Sequence, residues 1–203
     1  MKLLSVAAIL LLAGALQAGA QDATSTSPKQ EGGGKGKEGN CGLLYGKDHS
    51  LTFCPASGWT LDNGIMNDQG IFAVFYPDGS SWERAKKSGT ILYINVVARK
   101  AEDTAEKLMA GDADEARQSA PATVVVPGEP IKIGDAAAPV QQFAPGAFKR
   151  YEAVAYILEE KVLVMFVMSS KDEKIFRKDY PAFVALVQSY KFLSSNVQVQ
   201  HHE

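Results

Sequence analysis

Seven consecutive apolar residues, Val162, Leu163, Val164, Met165, Phe166, Val167 and Met168, constrain the fold more than any other stretch of this chain. In a strand, alternate side chains leave on opposite faces, so Val162, Val164, Phe166 and Met168 form one row and Leu163, Met165 and Val167 the other. A sheet wetted on one side would leave one of those rows in water, so both faces need cover. The run is too short to cross a membrane, which takes about 20 apolar residues in a helix. Cover for one face is available from the C-terminal segment, where Phe176, Tyr180, Phe183, Val184, Val187 and Tyr190 recur at helical spacing. Ser170 and Glu173 have capping-box spacing at its start, and Pro181 is expected to bend or restart the helix. The predicted product is an α+β domain, an α/β/α sandwich with a central antiparallel β-sheet flanked by helices.

The remaining elements fit that plan. Leu51-Thr52-Phe53 and Trp59-Thr60-Leu61 read as two short strands around the turn Pro55-Ala56-Ser57-Gly58. Residues 71–76 are rich in β-formers and are stopped by Pro77-Asp78-Gly79. Ser80 and Glu83 again have capping-box spacing, which predicts a short helix over residues 80–87 carrying Trp82, broken by Gly89 before a strand over residues 90–98. Residues 101–119, with many Ala, Glu, Asp and Lys, predict a surface helix anchored by Leu108 and Met109 and weakened at Gly111. Three short runs, 123–126, 131–133 and 138–143, read as modest edge strands. Residues 151–158 and 162–168 flank Glu159-Glu160-Lys161 and read as a hairpin.

At the other end, Lys2 precedes a run over residues 3–16 that is apolar but for Ser5, followed by Ala18-Gly19-Ala20. This reads as a secretory signal peptide cleaved before Gln21, and the run is short for a membrane anchor and lacks a basic stop-transfer cluster. The first cysteine, Cys41, lies far beyond the apolar region, unlike the lipid-bearing cysteine of bacterial lipoproteins. The expected location is periplasmic or secreted, without stable membrane insertion once the signal is removed. Residues 21–40 hold Ser, Thr, Gln and the run Gly32-Gly33-Gly34-Lys35-Gly36-Lys37 with no large apolar side chain, so they are expected to be a disordered tether. Residues 41–194 have the size of one domain with one core, and residues 195–203 form a polar tail.

Charge excludes one class of partner. The chain carries 21 basic and 23 acidic residues; losing Lys2 with the signal leaves 20 against 23, a charge of −3 with histidines neutral. Nucleic-acid and anionic-membrane surfaces call for clustered Lys and Arg, whereas the basic pairs here, such as Lys86-Lys87 and Lys149-Arg150, are scattered. An oxidising compartment gives meaning to Cys41 and Cys54. An isolated pair with twelve residues between favours a disulfide over a metal site, which needs more ligands, or a redox motif, which needs closer spacing. Two buried free thiols are the alternative.

Several phrases resemble a known superfamily. The opening Leu51-Thr52-Phe53-Cys54-Pro55-Ala56-Ser57-Gly58-Trp59 is similar to the start of PsbP-like domains. So is the closing Phe183-Val184-Ala185-Leu186-Val187-Gln188-Ser189-Tyr190-Lys191-Phe192. The middle phrase Phe75-Tyr76-Pro77-Asp78-Gly79-Ser80-Ser81-Trp82 resembles bacterial exported relatives of that superfamily with no assigned activity. The resemblance implies the α/β/α sandwich, used by the family for binding or assembly rather than catalysis. Plant and cyanobacterial members assist the oxygen-evolving photosystem and a eukaryotic relative binds the GTPase Ran. No residues here match either interface, so only the fold carries over.

Motifs that would announce chemistry are missing from the sequence. There is no Gly-x-Ser-x-Gly elbow and no Walker or dinucleotide glycine pattern, and no cofactor is expected. A zinc site would need three or four ligands at workable spacing, but His49 stands alone in the domain, with His201 and His202 in the tail. Asp48-His49-Ser50 is expected to be an exposed polar turn. Trp59 and Trp82 suit either a core anchor or a stacking platform. With Asp62, Asn63, Tyr93 and Asn95 on neighbouring strands, they are the candidate binding residues. The expectation is a non-enzymatic exported binding or assembly-assisting module with a protein partner in the cell envelope. The alternative is a small-molecule-binding protein or hydrolase with a cleft near Trp82.

Overall fold

The computed structural model describes residues 41–46, 48–62, 73–145 and 149–197. The expected signal peptide, the tether, Asn63 and residues 198–203 of the tail lie outside the described residues. Within them the order is β1 (Gly42–Gly46), β2 (His49–Phe53), β3 (Trp59–Asp62), β4 (Ala73–Pro77), α1 (Trp82–Ser88), β5 (Thr90–Ala98), α2 (Ala105–Ser119), β6 (Val124–Ile133), β7 (Ala136–Ala144), β8 (Tyr151–Leu158), β9 (Val162–Ser170), α3 (Glu173–Gln188) and β10 (Lys191–Ser194).

The apolar run lies in β9, and β9 is the middle strand of a seven-stranded sheet ordered β3-β4-β5-β9-β8-β7-β6. Every neighbouring pair in it is antiparallel. On one side β9 pairs with β5, from Thr90 opposite Ser170 to Ala98 opposite Val162. On the other it pairs with β8 through the hairpin, closed by Glu159 N–H donating to the Val162 carbonyl at 2.9 Å. All nine residues of β9 are buried. Their two rows separate as alternation requires. Val162, Val164, Phe166 and Met168 share a core with Phe176, Phe183, Leu186 and Val187 of α3. Leu163, Met165 and Val167 share another with Trp82 and Ala85 of α1 and Ala116 of α2. The domain is therefore a mixed α+β fold built on antiparallel sheets.

A single sheet was expected, and the structure has two. β1, β2 and β10 form a separate three-stranded antiparallel sheet whose inner residues Leu44, Leu51, Phe53 and Phe192 join the core on the α3 side. Phe53 meets Phe75 edge-on at 5.5 Å, which locks the small sheet to the large one. Geometry explains the division of labour. Seven strands spaced about 4.8 Å apart make a sheet roughly 29 Å wide. A helix of 16 residues is roughly 24 Å long and 10 Å across, too small to cover that face alone. The disulfide Cys41–Cys54 is formed and ties the start of β1 to the residue after β2.

Several local expectations are corrected. Helix α1 is capped by Ser81, whose side chain accepts from Arg84 N–H, because the Ser80 N–H closes the turn onto the Pro77 carbonyl at 3.0 Å. Helix α3 is capped by Asp172, accepting from Ile175 N–H at 2.9 Å, since Ser170 is held in the β9 ladder. It runs as one helix through Pro181; the lost hydrogen bond to Arg177 is outweighed by Phe176, Phe183, Leu186 and Val187 buried on either side. Helix α2 starts at Ala105 behind the Thr104 cap; Leu108 and Met109 pack half-buried against the core as expected, and Ala113 and Ala116 are buried with them. Two of the short runs merge into β6, where Pro127 and Pro130 are accommodated by a bulge at the sheet edge. β7 is interior, paired on both sides. His49 belongs to β2 and is buried, so it is not an exposed turn residue.

Candidate functional site

The five described candidates divide between the two faces of the large sheet. Trp59, half-buried, packs on the α3 side. Trp82, Tyr93, Asn95 and Asp62 lie on the α1 and α2 side, Asp62 in register with Val74 and Val74 with Tyr93. Trp82 is 9% exposed and Lys86 covers its ring at 5.5 Å, so its indole is engaged in packing α1. Tyr93 and Asn95 are also buried. Asp62 accepts a 2.5 Å hydrogen bond from Tyr76, whose phenol is pushed up to about 12 by burial, reinforced by that carboxylate. Trp82, Tyr93, Asn95 and Asp62 share a face, and the first three are buried in it.

The same face carries a polar network that the sequence did not announce. Tyr156 on β8 donates to Asp112 on α2 at 2.8 Å and lies 3.3 Å from the Gln141 side-chain oxygen. Desolvation raises the Asp112 carboxyl to about 6, against the lowering effect of the Tyr156 hydrogen bond. Nearby, buried Arg150 donates to Ser169 Oγ at 2.6 Å, to the Ser169 carbonyl at 3.0 Å and to the Lys86 carbonyl at 3.1 Å. Ser169 Oγ in turn donates to Glu152 at 2.7 Å, and burial raises the Glu152 carboxyl. Arg150 thus binds the last turn of α1 to β8 and β9. Tyr93 Oη is buried beside these groups without a hydrogen-bond partner, and burial, followed by the Glu152 charge, raises its phenol strongly.

A groove of about 320 Å³ opens on the opposite face, between the first turns of α3 and the ends of β6, β7 and β8. Its wall is aromatic: Tyr151 stands 6.2 Å from Phe176, and Phe176 stands 5.8 Å from Tyr180. Phe176 and Tyr180 meet because four residues of helix bring side chains onto one face. Glu173 and Arg177 have the same spacing and form the rim, the guanidinium donating to one carboxylate oxygen at 2.6 and 2.9 Å. Gln142 and Val126 complete the floor. Val126 and its neighbour Val124, on the edge strand β6, are 43% and 56% exposed. The i, i+4 pairs of α3 are visible in the sequence, but their position against β6 depends on long-range pairing.

The groove can hold a ligand by apolar contact and orient it through the Gln142 amide, the Arg177 guanidinium and the Glu173 carboxylate. No Ser, Cys, His or Lys side chain is among its described lining residues. No group of three or more His, Cys, Asp or Glu side chains able to hold a metal ion occurs among the described residues. No described helix is long and apolar enough to cross a membrane.

No protein-family model matches the chain, and no curated protein matches it. Among solved structures, it is similar to the solution structure of cyanobacterial PsbP (CyanoP) from Synechocystis sp. PCC 6803. The match covers 82% of this chain and 100% of that one at 13% identity, with a TM-score of 0.50. At that identity the likeness concerns the fold alone, and the fold is PsbP-like.

Proposed function

We propose that this chain is an exported, non-enzymatic binding or assembly-assisting module that grips a protein partner of the cell envelope in the groove between α3 and the β6–β8 end of the sheet. The observation that carries the reading is the aromatic wall of Tyr151, Phe176 and Tyr180 beside the exposed Val124 and Val126. Apolar surface rimmed by polar groups is the usual form of a protein contact, and a concave aromatic site is where its energy concentrates. In this reading the frame is an α/β/α sandwich, with a cleaved signal and a flexible tether giving the domain reach in a periplasmic or extracellular setting. The Cys41–Cys54 disulfide supports that address, since such bonds persist in oxidising compartments. The buried Trp82 indole, covered by Lys86, weighs against a stacking platform there and so against the small-molecule or hydrolase alternative.

The test is recovery of partners from envelope extract by the mature protein under gentle crosslinking. Val126→Glu combined with Arg177→Glu should lose the partner, whereas Arg117→Glu on the exposed side of α2 should keep it. Equal recovery by all three proteins, or no partner for any, would remove the groove from this role.

A further inference from the structure

We propose that the outer edge of β1 is a homotypic docking surface, pairing antiparallel with β1 of a second copy about a two-fold axis through Leu44. Edge strands present unpaired backbone groups, and folded proteins blunt them with charge, proline, bulges or irregularity. The other edges here are blunted. β6 carries Pro127, Glu129, Pro130 and Lys132 together with a bulge, β10 has Lys191 and a register shift before Ser194, and β3 ends in Asp62. β1 reads Gly-Leu-Leu-Tyr-Gly, without charge, proline or bulge, and pairs in unbroken register with β2.

Self-pairing suits this strand on both of its faces. With Leu44 on the axis, Leu43 stands opposite Tyr45 of the second copy, an aliphatic against an aromatic side chain. Leu43 and Tyr45 are 58% and 49% exposed, and Leu193, 56% exposed, lies on the same outer face of the small sheet. These three are the majority of the large apolar side chains that the described residues leave in water. On the inner face Gly42 stands opposite Gly46 of the second copy. A Cβ at Gly42 would strike the Phe53 ring and one at Gly46 the His49 ring, so a side chain at either position would displace a buried ring. Leu44, buried between the two glycines, is the one side chain of β1 on that face. An uncharged strand also brings no like charges together when it meets its own copy. The Cys41–Cys54 disulfide fixes one end of β1 beforehand, which lowers the ordering cost of pairing.

A five-residue strand pair with two leucines and two tyrosines buries less than the roughly 1,200 Å² of a standard stable interface. The dimer is accordingly weak and concentration-dependent. The experiment is sedimentation of the exported chain from micromolar to millimolar concentration, alongside amide exchange of β1. Expected is a mass that doubles across this range, with β1 amides gaining about tenfold protection at the upper end. Leu43→Lys combined with Tyr45→Lys, both outside the core, should stay monomeric throughout. A wild-type chain that remains monomeric with unchanged β1 exchange overturns the proposal. So does a dimer that survives in the double variant, and so does protection of β1 only when a foreign strand is supplied. The exchange measurement on the unaltered protein decides the matter even if the double variant fails to fold.

Discussion

Tyr156 donates its phenolic hydrogen to Oδ2 of Asp112 across 2.8 Å, joining helix α2 to strand β8. Burial raises that carboxyl from 3.8 to about 6, and burial followed by the Asp112 charge raises the Tyr156 phenol. Glu115 from α2 adds to the rise in Asp112, and Tyr93 and Glu152 face Tyr156 from β5 and β8. The folded chain therefore holds the Asp112 proton more tightly than the unfolded one. Between about pH 4 and about pH 6 the native state binds more protons, so stability falls as pH rises through that window and levels off above it. Urea midpoints measured across the window should decline in the native protein and decline less in Asp112→Asn, the remainder belonging to Glu152, whose carboxyl is shifted in the same direction. Equal slopes in the two proteins would contradict this account of α2 docking.

Arg150 ties three elements through Ser169 and Lys86 while buried. Replacement by Met keeps much of the volume but leaves the Ser169 and Lys86 acceptors without their donor. The expected loss in urea unfolding is about 3 kcal/mol, in the range for breaking buried charge-assisted bonds. Arg150→Lys should recover little of it, because an ammonium cannot span the same three acceptors. A loss under about 1 kcal/mol for Arg150→Met would show that the network contributes little.

The disulfide closes a short loop, and the chain-entropy model assigns it about 3 kcal/mol. Reduction, or Cys41→Ser with Cys54→Ser, should lower the urea midpoint accordingly. The change should be felt first as faster amide exchange in β1, which among the described residues pairs with β2 alone. Unaltered β1 exchange after reduction would show that the strand is held without the bridge.

Much of this fold is legible in the sequence where a local pattern and a long-range contact agree. β5 begins and ends where Gly89 and the β-branched residues place it, and the two rows of β9 reach opposite cores. The small sheet is hidden because β10 pairs with β2 across most of the chain, and neither strand is long enough to reveal its partner. Two capping boxes are misleading for one reason: Ser80 and Ser170 have the right spacing, but the turn after Pro77 and the β9 ladder already occupy their backbones. Pro127 and Pro130 look like interruptions, yet an edge strand tolerates the missing N–H groups. Trp82 reads equally as core or platform, and only packing with α1 assigns it to the core. The groove is less legible still, since Tyr151, Phe176 and Val126 come from three separate elements.

The central claim is that β9 lies in mid-sheet with both faces covered, the arrangement on which α3 and its groove are mounted. Native-state amide exchange tests it most directly, residue by residue. The account predicts that amides of Val164, Met165, Phe166 and Val167 exchange only through global unfolding and are the slowest in the domain, while those of Val124 and Val125 at the β6 edge open locally. Exchange at residues 164–167 as fast as at the β6 edge would contradict it.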